Sequence, residues 1–433
     1  MNMIENRTFD EIQPGDHAEI VRTLDAQDIA HGMWGGMLVS AVLGSELPGP
    51  GTIFVDQSLS FLAPVNLGDV ITARVTVLEK STDQRVKLAC RCTNQQGAEV
   101  ITGTAVVIAP SKKVSQAQLT MPSISLQRSC THFAQMLEAA ASFPPLRTAV
   151  VHPVDVASLL GAIQGRDAGL IEPVLVGPAA RIDAAASKAG IDLTGIERIA
   201  TEHSHAAAEE SVRLARSGQV EALMKGALHT DELMAAAIAS DGLRTDRRLS
   251  HVFLLDVPSY HKPLFITDAA INIEPQLDEK ADIVRNAVDL CHALGIAAPK
   301  VAILAAVETV NARMRSTLDA AALCKMADRG QISGAILDGP LAFDNAISST
   351  AAQMKHIVSP VAGDADILIA PDLEAGNMIA KQLIYLAGAD AAGIVLGARV
   401  PIMLTSRSDG AEARAASAAL ALLYVRNRMG NKA

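Results

Sequence analysis

From residue 147 onward the chain repeats one pattern, a short apolar run followed by a longer helical stretch. "RTAVVHP", "EPVLVGP" and "ALMKG" begin the series, and "KVAILAA", "GAILDGP", "DILIAPD" and "GIVLGARVPIMLTS" continue it. Strands separated by helices need crossovers, so they imply a largely parallel sheet covered on both faces. Ligands of such sheets gather at the C-terminal ends of the strands. The polar residues that close each apolar run are therefore the ones to examine. Residues 393–404 read as one buried strand that ends abruptly in Thr405, Ser406, Arg407, Ser408 and Asp409, with an alanine-rich helical pattern directly behind.

Before residue 110 the pattern differs. Segments 51–65, 69–80, 85–94 and 99–109 are rich in Val, Ile and Thr. Ile71, Ala73, Val75 and Val77 alternate as in a half-buried antiparallel strand. One helix is predicted over 31–45, which makes this part an α+β domain. Residues 111–143 read as a polar linker ending in the helical "CTHFAQMLEAAASF".

The net charge of −10 argues against general binding to nucleic acid or to an anionic membrane. An anionic ligand needs local basic groups. Five scattered cysteines suggest a reducing compartment. Cys90 and Cys92 share one strand face and read as packing, as do Cys291 and Cys324 in helical patterns. No Cys/His set has metal-ligand spacing, so no metal is expected. The N-terminus lacks a signal pattern, and the apolar runs are too short to span a bilayer, so a cytoplasmic protein is expected.

The segment "IAHGMWGGMLVSAVLGSELPGPGTIFVDQSLSFLAPVNLGDVITARVTVLEK" resembles the hot-dog domain of MaoC-like (R)-specific enoyl-CoA hydratases over residues 8–110. The resemblance implies a sheet wrapped around the helix that carries His31-Gly32-Met33, and pairing of two copies. One departure is specific. The hydratases carry a catalytic Asp and His in a segment like S-G-D-x-N-P-x-H just before that helix. Here "TLDAQD" runs straight into "IAHGM". Asp25 and Asp28 are carboxylates without a histidine at the matching offset, and His31 belongs to the helix motif. The domain, taken as 1–110, is therefore expected to serve dimerisation or acyl-CoA docking rather than hydration.

Residues 144–433 resemble the phosphate acetyl/butyryltransferase family. The matches run in order through "MKGALHTDELM", "GLRTDRRLSHVFLLD", "LFITDAAINIEP", "KADIVRNAVDLCHALGI", "PKVAILAAVETVNARMRSTLDAAAL", "GAILDGPLAFDNAIS", "GDADILIAPDLEAGNMIAKQL" and "VPIMLTSRSD". The last is closer to the butyryltransferase branch, since acetyltransferases read like D-L-S-R-G there. The resemblance implies an α/β fold of two subdomains, like that of isocitrate and isopropylmalate dehydrogenases. Subdomain one would hold about 144–269 and 406–433, and an inserted subdomain two about 270–405. It also implies acyl transfer between coenzyme A and inorganic phosphate. Coenzyme A is then a substrate and no cofactor is covalently bound.

Site residues follow from both sources. An arginine fork suits phosphate oxygens, and a serine hydroxyl suits a thioester carbonyl where negative charge develops. The family's Ser-Arg pair maps onto Ser406 and Arg407. An acidic residue that acetyltransferases place seven positions after the serine falls here on Ala413. Asp409 and Glu412 are the nearest acids. Asp409 fits both catalysis and helix capping, while Glu412 fits a cap. Arg244 is the expected arginine near CoA, with Arg247 and Arg248 read as surface charges or a further CoA phosphate contact. Lys225 ends a strand. Asp338 and Asp344 follow another, with helix capping as the plain alternative for Asp344. Gly376 and Asn377 are expected just before a helix beginning near Met378, where free amides could cradle phosphate.

Two rivals remain. A dehydrogenase on the same architecture would need a nicotinamide loop, and no G-x-G-x-x-G follows a strand. A non-catalytic assembly scaffold is the other. The expected partners are acyl-CoA and phosphate in a homo-oligomer built on dimers.

Overall fold

The computed structural model describes residues 3–24, 33–66, 68–117, 131–404 and 411–430. Ser406, Arg407 and Asp409 lie outside the described residues, as do Asp25, Asp28 and His31. The chain divides into two compact units, Met1–Gln127 and Arg128–Ala433.

The first unit contains β1 (Met3–Glu5), β2 (His17–Thr23), α1 (Trp34–Ser45), β3 (Ile53–Phe61), β4 (Val70–Lys80), β5 (Arg85–Thr93), β6 (Glu99–Ile108) and β7 (Ser115–Ala117). Five strands form an antiparallel sheet in the order β2-β4-β5-β6-β3. This is the hot-dog arrangement, with α1 packed on β4 and β5. Trp34, Leu38, Val39, Val42 and Leu43 of α1 are buried with the alternating Ile71, Ala73 and Val75 of β4 and Leu88, Cys90 and Cys92 of β5. Burial pushes the Cys90 thiol up to about 11 and the Cys92 thiol to about 12, so both behave as small apolar side chains. The sequence reading missed β1 and β2. Inside the segment read as linker, β7 pairs with β1, because residues 115–117 supply the backbone groups that a three-residue strand needs.

The second unit begins with α2 (Thr131–Ala140), β8 (Leu146–Val151), α3 (Val156–Asp167), β9 (Ile171–Gly177), α4 (Ala179–Ala189), β10 (Glu197–Ala200), α5 (Ser204–Arg216), β11 (Ala222–Lys225) and α6 (Thr230–Ile238). Next come β12 (Ser250–Asp256), β13 (Leu264–Thr267), α7 (Leu277–Ala293), β14 (Lys300–Leu304), α8 (Arg315–Asp328), β15 (Ile336–Leu341), α9 (Phe343–Ile347) and α10 (Ser349–Met354). It closes with β16 (Ile367–Ile369), α11 (Leu373–Leu386), β17 (Asp390–Leu396), β18 (Ile402–Met403) and α12 (Ala411–Gly430).

Among the described residues of this unit, eleven strands form one sheet, ordered β10-β9-β8-β11-β18-β17-β12-β13-β16-β14-β15. Pairing is parallel on both flanks and antiparallel only where β18, β17, β12 and β13 meet. Strands β8–β11, β18 and β12 therefore run one way, and β17, β13, β16, β14 and β15 run the other. Strands β12 and β13, which precede residue 270, are seated between β17 and β16.

Residues 393–404 are not one strand. They contribute the end of β17, a turn, and β18, with Ile394 opposite Met403. Gly397 takes a φ of 88°, which a side chain disfavours, and Pro401 removes a ladder donor; together they turn the apolar run back on itself. The last helix, α12, packs against α2, α3, α7 and β17. Its Ala416, Ala418–Leu423 and Val425 are buried in the main core.

Candidate active site

Strand β11 aligns with β18 so that Leu223 faces Ile402 and Met224 faces Met403. The next residues, Lys225 and Leu404, are thus neighbours at the end of the paired strands. Lys225 is only 6% exposed, and its Nζ lies 3.5 Å from the Gly226 carbonyl. Leu404 is the last described residue before Thr405, Ser406 and Arg407. A cation is therefore held beside Leu404, from which the chain continues to Ser406 and Arg407.

His152, directly after β8, belongs to the same edge. Its φ is 56°, it is 3% exposed, and its Nδ1 is buried without a hydrogen bond. Burial, then the charge of Arg181, pushes its imidazole below the usual range. Sequence reading passed over it, although a histidine and proline ending an apolar run are the signal that would have found it.

Arg244 lies elsewhere. Its backbone bridges Ala398 in the turn before β18, on the opposite edge of the sheet from Leu404. Among the described residues no carboxylate pairs with exposed Arg244. Arg399 is exposed beside it, with its N–H donating to the Leu243 carbonyl at 2.9 Å, and was not foreseen. Arg247 and Arg248 differ from Arg244. Arg247 is paired with Asp289, and Arg248 sits 3.1 Å from Glu279 while donating to Asn272 Oδ1 at 2.8 Å. Arg247 is committed to α7, and Arg248 to α7 and the loop after β13.

That loop also receives α11, and here one expectation is corrected. The helix starts at Leu373, not near Met378, because the Asp372 side chain accepts from Ala375 N at 2.8 Å and caps it. Gly376 and Asn377 are therefore inside the helix. The Gly376 amide donates to the Asp372 carbonyl, and Asn377 Nδ2 donates to the Ala269 carbonyl at 2.9 Å. Gly376 is glycine for closeness: a Cβ there would stand 2.4 Å from the Asp268 carbonyl oxygen. These residues dock α11 and do not leave a free amide at Gly376 for phosphate.

Asp338 lies on the edge strand β15, six strand spacings from β18, or about 29 Å along the sheet. Its Oδ1 accepts from Gly339 N at 2.8 Å. Asp344 is exposed in the first turn of α9, with Ala342 as the N-cap rather than Asp344 itself. Lys355 lies 3.1 Å from its carboxylate and holds it below the usual range. The strand pairing thus sets Lys225 beside Leu404, places Arg244, Gly376, Asn377 and Asp344 toward the opposite ends of the strands, and leaves Asp338 within β15 opposite Ala302. Among the described residues no group of three or more His, Cys, Asp or Glu side chains is arranged to hold a metal.

The family described as phosphate acetyl/butaryl transferase matches residues 206–422. A phosphate acetyltransferase of Rhizobium meliloti is 58% identical over 297 residues, which are 68% of this chain and 94% of that protein. The chain belongs to the phosphate acetyl/butyryltransferase family. A phosphate butyryltransferase of Clostridium beijerinckii is 39% identical over 299 residues, 69% of this chain and 99% of that protein. The crystal structure of a branched-chain phosphotransacylase from Enterococcus faecalis V583 superposes with a TM-score of 0.58 at 28% identity, covering 65% of this chain and 99% of that one. The "TSRSD" tip resembles the butyryl branch, while the higher of these identities goes with a protein named an acetyltransferase.

Within this phosphate acyltransferase family architecture, the described cations serve different ends. Lys225 is sequestered beside the strand end, Arg244 and Arg399 are open to an anion, and Arg247 and Arg248 hold helix and loop together.

Proposed function

We propose that this chain transfers a short acyl group, such as acetyl or butyryl, between coenzyme A and inorganic phosphate: acyl-CoA plus phosphate gives acyl phosphate plus CoA. The observation that carries the reading is the 58% identity to a phosphate acetyltransferase across 94% of that protein. The same membership disfavours a dehydrogenase or a scaffold.

In the proposed reaction the nucleophile, phosphate or CoA thiolate, attacks the acyl carbon directly, and proximity does much of the work. Arg407 forks the phosphate oxygens, and Ser406 donates to the carbonyl oxygen as it gains charge. Lys225 adds positive potential at the same strand end. Asp409 either accepts the thiol proton or caps α12. Arg244 receives an anionic group of the CoA nucleotide, a role supported by its lack of an acidic partner among the described residues. Asp338 and Asp344 are proposed to bound the CoA side of the cleft. The division at about 270 and 405 into two subdomains is likewise part of this reading.

The hot-dog unit is proposed to dimerise or to dock acyl-CoA, without hydrating it. Among the described residues its outer strand β3 pairs on one side only and exposes Phe54, Val55 and Phe61, which suits addition of a second copy. The protein is proposed to work in the cytoplasm as an oligomer built on dimers. No helix among the described residues is long and apolar enough to cross a membrane.

The test is phosphate-dependent release of CoA thiol from acetyl-CoA and butyryl-CoA. Arg407→Ala should lower kcat at least about 100-fold while the protein stays folded. Absence of turnover with every short acyl-CoA sinks the reading, and hydration of crotonyl-CoA sinks the account of the hot-dog unit.

A further inference from the structure

Gly393 on β17 stands where three elements meet. Its N–H donates to Ser417 Oγ on α12 at 3.0 Å, and its carbonyl accepts from Leu404 N at 3.2 Å. A Cβ on Gly393 would lie 2.8 Å from His251 Nε2 and 2.9 Å from the Leu404 carbonyl oxygen. The volume of one side chain is thus shared by an imidazole from β12 and the last carbonyl of the described strand end.

The register explains why. His251 pairs with Val395, and Val395 pairs with Ile402. Paired residues share a face, and so do residues two apart, so His251, Gly393 and Leu404 project to the same side. His251 is fully buried and packs edge-on against Phe253, with centroids 4.4 Å apart. Its own carbonyl accepts from Thr267 Oγ1 at 2.8 Å, which ties it to β13. Neither ring nitrogen makes a hydrogen bond of ordinary geometry among the described residues, while the Leu404 carbonyl acts on the ring as a backbone acceptor. Burial pushes the imidazole down to about 4, so near neutral pH it keeps one N–H and one bare nitrogen. Packing alone would be met by Leu or Met, without an unmet buried polar group.

We propose that His251 is a positioning residue for the strand end: it offers an N–H to the Leu404 carbonyl and, with Gly393 leaving the space, holds the backbone of Leu404, two residues before Ser406 in the chain. This rests on the reading of Ser406 and Arg407 given above. His251 itself touches no substrate.

The test compares His251→Met, His251→Gln and Arg407→Ala in the full chain, with CoA release from acetyl-CoA and phosphate as the readout. H251M should lower kcat about tenfold, the rate equivalent of one ordinary hydrogen bond, with KM values within about twofold of the parent. H251Q, whose amide can place an N–H where Nε2 stands, should recover most of that loss. If H251M stays within about twofold of the parent in kcat, or if H251M and H251Q lose equally, the role of His251 is overturned. An inactive R407A then leaves the strand-end reading intact. If R407A keeps full activity, that reading falls and this inference falls with it. Should H251M not fold, Gly393→Ala replaces it, because its methyl must displace the ring or the carbonyl; an unchanged kcat in G393A overturns the proposal.

Discussion

Lys280 on α7 and Asp319 on α8 form a buried ion pair, Nζ to Oδ2 at 2.7 Å, with side chains only 5% and 9% exposed. Arg315, one turn away on α8, stands 3.6 Å from the same carboxylate oxygen. Removing Asp319 leaves the buried Lys280 charge unmatched, whereas removing Lys280 leaves Asp319 with Arg315. Asp319→Leu alone should cost about 3–5 kcal/mol, Lys280→Met alone should cost less, and the double substitution should recover most of the Asp319→Leu loss. Calorimetric unfolding of the two single variants and the double variant checks this.

Gly376 separates two uses of the α11 N-terminus. Gly376→Ala drives a methyl toward the Asp268 carbonyl at 2.4 Å. The expected outcome is a stability loss of about 1–3 kcal/mol with the KM for phosphate unchanged in the folded fraction. A rise in that KM without loss of stability would restore the phosphate cradle. Thermal unfolding together with phosphate titration distinguishes the two.

Arg244 and Arg247 are close in sequence and should respond differently. Arg244→Gln removes an exposed cation with no acidic partner among the described residues, so KM for acyl-CoA should rise about tenfold with Tm unchanged. Arg247→Gln removes the partner of Asp289 and should lower Tm by a few degrees with KM little changed. Steady-state kinetics and a melting curve on each variant suffice.

Asp364 is surrounded by Lys300 Nζ at 2.6 Å, Lys262 Nζ at 3.0 Å and His261 Nε2 at 2.9 Å. Partial burial raises its pKa, but the hydrogen bonds from Lys300 and Lys262 outweigh that and hold the carboxyl well below the usual range. A depressed pKa contributes stability above the unfolded value, near 4, and loses it as pH falls through the folded value. Stability should therefore drop below about pH 4 with a component that Asp364→Asn abolishes. Acid unfolding of the two proteins, compared at equal ionic strength, is the check.

Much of the fold is legible along the chain because its signals are local. The alternation of Ile71, Ala73, Val75 and Val77 marks β4, and "RTAVV", "EPVLVG" and "ALMK" mark β8, β9 and β11. Lys225 could be picked as a strand-ending cation for the same reason. The α11 start was misplaced because Asp372 and Leu373 look like turn sequence until the cap bond to Ala375 is seen. His251 was passed over because a histidine inside an apolar strand carries no periodic signal; its meaning depends on Gly393 and Leu404, both more than a hundred residues away.

By itself the sequence determined two kinds of domain and the series of motifs that places the chain among phosphate acyltransferases. Periodicity and motif spacing are properties of neighbouring residues, so they need no partner to be read. Only the tertiary structure decided that residues 393–404 fold back as β17 and β18, and that β12 and β13 enter the sheet between parallel flanks. A strand's neighbour is chosen by hydrogen bonding and burial across the whole sheet, and that choice put Lys225 beside Leu404 while carrying Arg244 to the other edge.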